Sequence, residues 1–359
     1  MFPAVCRVRR IGWQATHEER DGLKIDKVFI THNAVPEGAD PSTADVLDEV
    51  DFVVGGLGEL RIAHEIVPVT DGKVWEALRP QRRSVVVNLV ESPPGAPHLQ
   101  VGAAAVLEVL GLPFTGSGSA ALWLTTDKIA TRALLAANGV PVAEGGRFSS
   151  TRRGLFERVP PPWILKAGRE DSSVGLDGEE VVFTNPVKAF ARGRDLERRF
   201  PDQPILVEHY LPGREFNIGV IEVSGRPRVL PIAEMTFKNY PEGKPKIVDF
   251  GAKWVEGTFS WDNTERRFLE DGEDLRLTRK LATLARDAWR VTHVSGYARV
   301  DVRLDDHGDP AVLEVNANPC ITQGSGMTVA AQRAGMSDGQ VVRHMLSAAL
   351  RRNGHRRST

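Results

Sequence analysis

From Asp26 the chain alternates apolar and polar positions through KVFITHNAV, the period of a β-strand with one buried face. Pro36, Gly38 and Pro41 break it into a loop. A helix is expected from a Ser42/Thr43 cap, with Val46, Leu47, Val50, Val53, Val54 and Leu57 on one stripe. His64 to Val69 reads as a second strand, Val74 to Leu78 as a short helix and Ser84 to Val90 as a third strand. This alternation predicts a βαβ unit, a small parallel sheet with helices on its faces. Ligands of such sheets sit beyond the carboxyl ends of the strands, here the loops after Ile30, Val69 and Asn88. The residues before Asp26 read as an added edge strand or a poorly ordered arm.

A further helix over Leu99 to Leu110 is predicted to stop at Gly111, since Pro113 forbids its continuation. Thr125 or Thr126 caps the next helix, which carries Ile129, Ala133, Ala136 and Ala137 on one face and closes at Asn138-Gly139. The Pro160-Pro161-Pro162 run leads into a short strand, Ile164-Leu165-Lys166, and a helix is expected from Pro186 to Phe200. A strand from Ile205 to Val207 meets Glu208, then a Leu211-Pro212-Gly213 hinge, then a strand from Glu215 through Val223. Met235 to Trp261 has no clear period and reads as a mobile lid. A helix from Asp274 to Val291, packing by Leu275, Leu281, Leu284, Ala285 and Ala288, precedes two strands, Val300 to Leu304 and Ala311 to Val315, joined by a tight turn.

At 359 residues, with 41% hydrophobic and 26% charged positions, the chain is long enough for two or three domains around ordinary cores. A net charge of −1 gives no support to a nucleic-acid or membrane-surface partner. Cys6 and Cys320 stand far apart without a partner motif, which argues against a disulfide framework or a zinc site. No basic leader with a long apolar core opens the chain and no apolar run approaches a bilayer's width, so a cytoplasmic enzyme is expected. The basic tail from Arg351 to Arg357 reads as a frayed, solvated end.

Three stretches carry candidate chemistry. In the late strand pair Asp301 and Glu314 interrupt apolar sequence, and Asn316 follows Glu314 on the same face. Carboxylates on buried strands are costly unless a cation compensates them, and two carboxylates with an amide suit a hard ion such as Mg2+. A hairpin whose acids face solvent is the competing reading. Lys166 ends its strand ahead of a small-residue loop, Ala167 to Gly175, where backbone N–H groups and an ammonium can meet phosphate. A plain surface turn is the alternative there, and the lysine is not in the Walker position. The hinge after Glu208 can read an adenine edge through its backbone, with Glu215 placed for ribose hydroxyls; a hairpin with exposed glutamates is the alternative.

In order and at similar spacing, GLPFTGSG with TTDK, LKAGREDSSVG, LVEHYLPGREF, GYARVDVRL and LEVNANP resemble the motifs of the ATP-grasp superfamily, and within it the D-alanine–D-alanine ligase group. The resemblance runs from about Asn88 to about Met345. It implies an α/β (α+β) architecture, an ATP-grasp fold preceded by a small parallel-sheet βαβ N-terminal domain, with units over residues 1–115, 116–204 and 205–359. It also implies an ATP-dependent, ADP-forming carboxylate–amine ligase, in which a substrate carboxylate takes the γ-phosphoryl group and an amine captures the acyl phosphate.

By the same resemblance Lys128 and Lys166 match the lysines that hold ATP phosphates, Glu208 and Leu211 the adenine hinge, and Glu215 the ribose contact. Asp301, Glu314 and Asn316 match the ligands of two Mg2+ ions, with Mn2+ as the alternative metal. Ser172 and Ser173 match the serine loop that closes over the phosphates, and Lys253 the lid lysine that reaches the γ-phosphate. Arg299, with the backbone N–H near Cys320, matches the group that stabilises the oxyanion, and Ser325 the serine near the second substrate's carboxylate.

Departures from the family pattern touch substrate more than reaction. Its glutamate in a GG-S-EHE stretch has no counterpart around Ile30, its lid tyrosine is Trp254, its histidine before the late serine is Gly324, and Cys320 stands at a usual glycine. The expectation is a ligase of altered specificity that joins amino acids or amino-acid-like acids to an amine, with small-molecule partners only and the family's homodimer. A D-alanine–D-alanine ligase with a divergent pocket and a non-catalytic nucleotide-binding protein are the alternatives. Arg299 argues against the last, since a binder has no need of it.

Overall fold

β1 (Lys27–Asn33) lies between β2 (His64–Val69) and β3 (Ser84–Leu89), and both neighbours run parallel to it. β3 ends the row yet is buried along its whole length, and an isolated parallel bridge from Val86 to Phe114 lies on its outer side. The connecting helix α1 (Pro41–Leu60) buries Val46, Val50, Val53 and Leu57 of the expected stripe, while Leu47 faces outward. The computed structural model describes residues 23–39, 41–69, 78, 83–91, 99–151, 154–170, 176, 180–270 and 272–357. Residues 1–22, the expected helix from Val74 (apart from Leu78), and the serines Ser172 and Ser173 lie outside these.

α2 (Gln100–Val109), α3 (Ser119–Thr126) and α4 (Lys128–Ala137) follow. Thr125 and Thr126, expected as caps, instead form the last turn of α3, their hydroxyls donating to the Ala121 and Leu122 carbonyls at 2.9 and 2.8 Å. The cap of α4 is Asp127, whose Oδ1 accepts from the N–H groups of Ile129 and Ala130 at 3.1 and 3.0 Å. One carboxylate satisfies two orphan donors and complements the helix dipole, which a threonine hydroxyl does less well.

β4 (Gly145–Arg147), α5 (Leu155–Arg158), β5 (Trp163–Ala167), β6 (Val182–Phe183), α6 (Pro186–Arg199) and β7 (Ile205–His209) build a four-stranded antiparallel sheet in the order β4-β7-β5-β6. α6 covers it, with Phe148, Trp163, Leu165, Leu196 and Val207 in the core between them. This sheet takes in β7, which lies past the boundary expected at residue 204.

The remainder is β8 (Glu215–Val223), β9 (Arg226–Val229), β10 (Ala233–Phe237), α7 (Phe250–Trp254), α8 (Phe259–Asn263), β11 (Thr264–Phe268), α9 (Leu275–Val291), β12 (Tyr297–Leu304), β13 (Pro310–Asn316), α10 (Gly326–Arg333) and α11 (Asp338–Arg357). Six strands form one sheet, ordered β11-β10-β8-β12-β13 with β9 also on β8. α9 packs on it through Leu277, Leu281, Leu284, Ala285 and Ala288. Leu275, expected in that stripe, is 54% exposed because it begins the helix off the buried face.

One stretch without a readable period proves to hold short elements, and one expectation is corrected. The stretch from Met235 to Trp261 is structured: Asp249 and Thr258 cap α7 and α8, and Phe237, Tyr240 and Phe259 stack at ring distances of 5.2 Å under Lys244. Short elements capped by side chains leave no hydrophobic period to read. The basic tail is the end of α11, not a frayed arm. Arg351 pairs with Glu222 at 3.2 Å, and Arg352 stacks over Phe114 and donates to the Phe114 and Gly116 carbonyls. Among the described residues no helix is long and apolar enough to cross a membrane.

Candidate active site

The four-stranded and six-stranded sheets, with the hinge between them, line a cavity of about 600 Å³, the size of a small-ligand site. β5 contributes Ile164 and Lys166, β7 Glu208, and the facing sheet Glu215, Met235, Asp301, Arg303 and Glu314. Lys166 Nζ donates to Glu208 at 3.1 Å. Glu208 and Glu215 are 3% and 7% exposed, which removes the alternative of a hairpin with exposed glutamates. Glu215 accepts from Arg303 Nη1 at 3.2 Å, and burial raises its pKa despite that guanidinium.

The hinge is shaped by close backbone approach. Gly213 donates its N–H to Leu304 O at 3.0 Å, and a Cβ there would stand 2.5 Å from that oxygen, so no larger residue passes. His209 and Tyr210 place their N–H groups on the Glu144 and Pro162 carbonyls, each at 2.7 Å. Leu211, buried at 5%, makes no hydrogen bond among the described residues. Its N–H and carbonyl are therefore free to meet a planar heterocycle between the apolar side chains of Ile164, Leu176, Ile247 and Leu313.

Strand register assembles the charged centre. Asp301 is paired with Glu314 and Arg299 with Asn316 across β12 and β13, so four polar side chains project from one face. Arg299 grips Asp301 through two hydrogen bonds and approaches Glu314 at 3.6 Å, while Lys128 from the start of α4 reaches Glu314 at 3.2 Å. Asn217 Nδ2 donates to Asp301 at 2.9 Å. Burial pushes Asp301 up in pKa against the pull of Arg299. Burial acts on Glu314 too, but Lys128, Arg299, Lys253 and Lys166 outweigh it and hold the carboxyl well below the usual range. Lys253, on α7 behind the Asp249 cap, loses proton affinity through desolvation and then through Arg299's charge. The solvated-hairpin alternative therefore fails: the acids are turned inward, and the chain's own cations already compensate them.

Residues 140–347 match the family model described as D-ala D-ala ligase C-terminus. A D-alanine–D-alanine ligase of Nitrosococcus oceani is 31% identical over 252 residues, 69% of this chain and 72% of that protein. The chain belongs to the D-alanine–D-alanine ligase family. An uncharacterised protein of Sinorhizobium fredii is 30% identical over 254 residues, 69% of each chain. The fold agrees with a D-alanine–D-alanine ligase of Bacillus anthracis complexed with ATP, at TM-score 0.69 and 18% identity over 92% of this chain and 99% of that one. The D-alanine–D-alanine ligase of Coxiella burnetii gives 0.68 and 17%, covering 92% and 97%. The expected ATP-grasp architecture and an ATP-dependent, ADP-forming ligase follow.

As a member of this family the chain brings Lys128, Lys166, Glu208, Leu211, Glu215, Lys253, Arg299, Asp301, Glu314 and Ser325 to one cavity. Asn316 is not part of that lining, and its Oδ1 accepts from the Asn318 N–H at 2.9 Å. Ser325 caps α10, accepting from Thr328.

Sequence reasoning passed over several groups. Arg303 is buried and donates to Glu215, Gly213 O, the Tyr210 hydroxyl and Lys246 O; its alternation with Arg299 and Asp301 in RVDVR was a usable signal. Asp45 on α1 also lines the cavity and accepts from Cys320 Sγ at 3.3 Å. One turn on, Glu49 accepts the Ile321 N–H at 2.8 Å. No lysine or arginine pairs with either acid among the described residues. Burial, with Glu49's charge, pushes the Cys320 thiol up to about 12, which removes it as a nucleophile near neutral pH.

Proposed function

We propose that this protein forms an amide between two amino acids or amino-acid-like substrates through an acyl phosphate. The observation that carries the reading is the convergence of Lys128, Lys166, Lys253 and Arg299 around Asp301 and Glu314 in a cavity with an apolar slot and a hinge. A donor carboxylate oxygen attacks the γ-phosphorus, and the bond from that phosphorus to the bridging oxygen breaks, releasing ADP. The amine nitrogen then attacks the acyl carbon, the carbon–oxygen bond to phosphate breaks, and the amine's proton passes to the departing phosphate or to solvent.

Lys128 and Lys166 receive the nucleotide phosphates, and Lys253 reaches the γ-phosphoryl group from α7. Arg299, with the backbone N–H near Cys320, stabilises the oxyanion that develops in the second step. The donor's ammonium lies at Asp45, whose carboxylate faces the cavity with no lysine or arginine paired to it. The oxygen donors of Asp301 and Glu314, opposite one another and turned inward, fit a hard divalent ion, with Asn316 next to them. Asp301, Glu314 and Asn316 would hold Mg2+, two ions by the resemblance, and the metal would supply charge neutralisation at the phosphates. We further place the enzyme in the cytoplasm as a homodimer.

A D-alanine–D-alanine ligase is the second reading, favoured by the relative of that name at 31% identity. Phosphate release with ATP and Mg2+ over D- and L-amino acids, their deaminated analogues and simple amines separates the two. Turnover confined to D-alanine selects the second reading, and equal use of deaminated donors removes the role of Asp45. The absence of phosphate release above the ATP-only background with every pair would refute ligation.

A further inference from the structure

Three strands set one row of side chains facing the cavity. Glu215 on β8, Met235 on β10 and Arg266 on β11 are successive register partners, and all three line it. Register partners share a face of the sheet, so the row that starts at a carboxylate ends at a guanidinium. Arg267, next along β11, projects to the opposite face and is bound there by Glu234 and Glu273. The other cavity arginines, Arg299 and Arg303, each hold a carboxylate. Arg266 has none among the described residues.

Its Nη2 donates to the Gly324 carbonyl at 2.8 Å. That bond delivers the guanidinium to the start of α10, where a Cβ on Gly326 would stand 3.6 Å from Nη1. Ser325 caps the same helix end and also lines the cavity. Arg266 is exposed where it lines the cavity, and desolvation of its covered part lowers its pKa, with no carboxylate among the described residues to oppose it.

We propose that Arg266 is a specificity-determining residue of this reaction: beside Ser325 it binds the acceptor's carboxylate and sets how strongly a free acid is preferred. The proposal rests on the ligase reading above. A guanidinium offers a planar fork matched to a carboxylate, with one arm already fixed by Gly324 and Nη1 beside the helix start. The helix dipole favours an anion at the same place. Met235 and Trp261, both in the lining, form apolar walls for the acceptor's side chain.

The test is phosphate release by the full-length protein with ATP, Mg2+ and a fixed donor amino acid, each acceptor being offered as the free amino acid and as its carboxamide. Wild type favours the free acid in kcat/KM. In Arg266→Met the acid-to-carboxamide ratio falls about tenfold, through KM for the acid, and Arg266→Lys restores part of it. A side chain that only braces Gly324 affects both acceptors alike; an unchanged ratio overturns the assignment. Should Arg266→Met melt below the assay temperature, Arg266→Gln gives the same ratio measurement. A wild type that turns over without preferring the acid also rules out this role while leaving ligation standing. A wild type inactive with every pair removes the ligase reading, and this one with it.

Discussion

Arg299 and Asp301, two residues apart on β12, are locked by a paired hydrogen bond, Nε to Oδ1 at 2.7 Å and Nη2 to Oδ2 at 2.8 Å, within the cavity lining. The carboxylate fixes the plane of the guanidinium, so its remaining donors are aimed before substrate arrives. Arg299→Ala removes a donor needed only as the oxyanion develops. We expect kcat to fall about 10²- to 10³-fold while ADP binding, followed by calorimetry, changes by less than about threefold. Undiminished turnover in that variant excludes Arg299 from the oxyanion role.

Lys166 and Glu208 present a different balance, because both are largely enclosed and the pair is worth little in net stability. Lys166→Met leaves Glu208 buried without its cation. It should destabilise the nucleotide-free protein by about 3 kcal/mol and weaken ATP binding at least tenfold. The double variant Lys166→Met/Glu208→Leu should recover most of the stability and none of the affinity. Denaturant midpoints with calorimetric ATP titrations test this, and ATP affinity recovered in the double variant would exclude Lys166 as a phosphate contact.

The parallel βαβ unit, α9 and the β12–β13 pair were legible because their apolar periods run long enough to be read. Asp301, Glu314 and Lys166 were legible as charges in or ending apolar strands, whereas Lys128, Lys253 and Arg299 were assigned only through the family resemblance. What escaped was contact between remote segments. Asp45 and Glu49 repeat at helical spacing, but nothing local says that they meet Cys320 and Ile321, more than 270 positions later. Arg352 looked like tail because its partners, Phe114 and Gly116, belong to the N-terminal part of the chain. The stretch from Met235 to Trp261 folds through caps and ring stacking, which leave no period in the sequence.

Glu49 should tie stability to pH. Burial raises its carboxyl to about 8, with the Ile321 N–H opposing only in part. The unfolded chain releases that proton near pH 4.5, so between about 5 and 8 it binds fewer protons than the folded chain. Stability therefore falls as pH rises through this window, by on the order of 5 kcal/mol at most, and this contribution levels off above it. Glu49→Gln keeps an acceptor for Ile321 without the titration and should flatten the curve. Urea midpoints at about pH 5.5 and pH 8.5 measure it, and parallel slopes in wild type and variant would mean that Glu49 is ionised throughout.

Neighbouring glycines on α1 should respond with opposite signs. Gly56 faces α11, where an added Cβ would lie 2.5 Å from Val342 Cγ2 and 3.0 Å from the Asp338 carbonyl. Val342 is stiff at χ1 and the carbonyl is backbone, so neither yields cheaply. Overpacking costs about 1–3 kcal/mol, which exceeds the ~1 kcal/mol that alanine gains over glycine in a helix. Gly55 meets nothing within 4 Å, so there the propensity gain stands alone. Thermal melts should place Gly55→Ala above wild type and Gly56→Ala below it, with Val342→Ala recovering part of the loss in the second. Because α1 also carries Asp45 to the cavity, Gly56→Ala should raise KM for the donor while leaving KM for ATP near its wild-type value. Equal changes in both constants would mean that the helix crossing supports the whole cavity instead of its donor end.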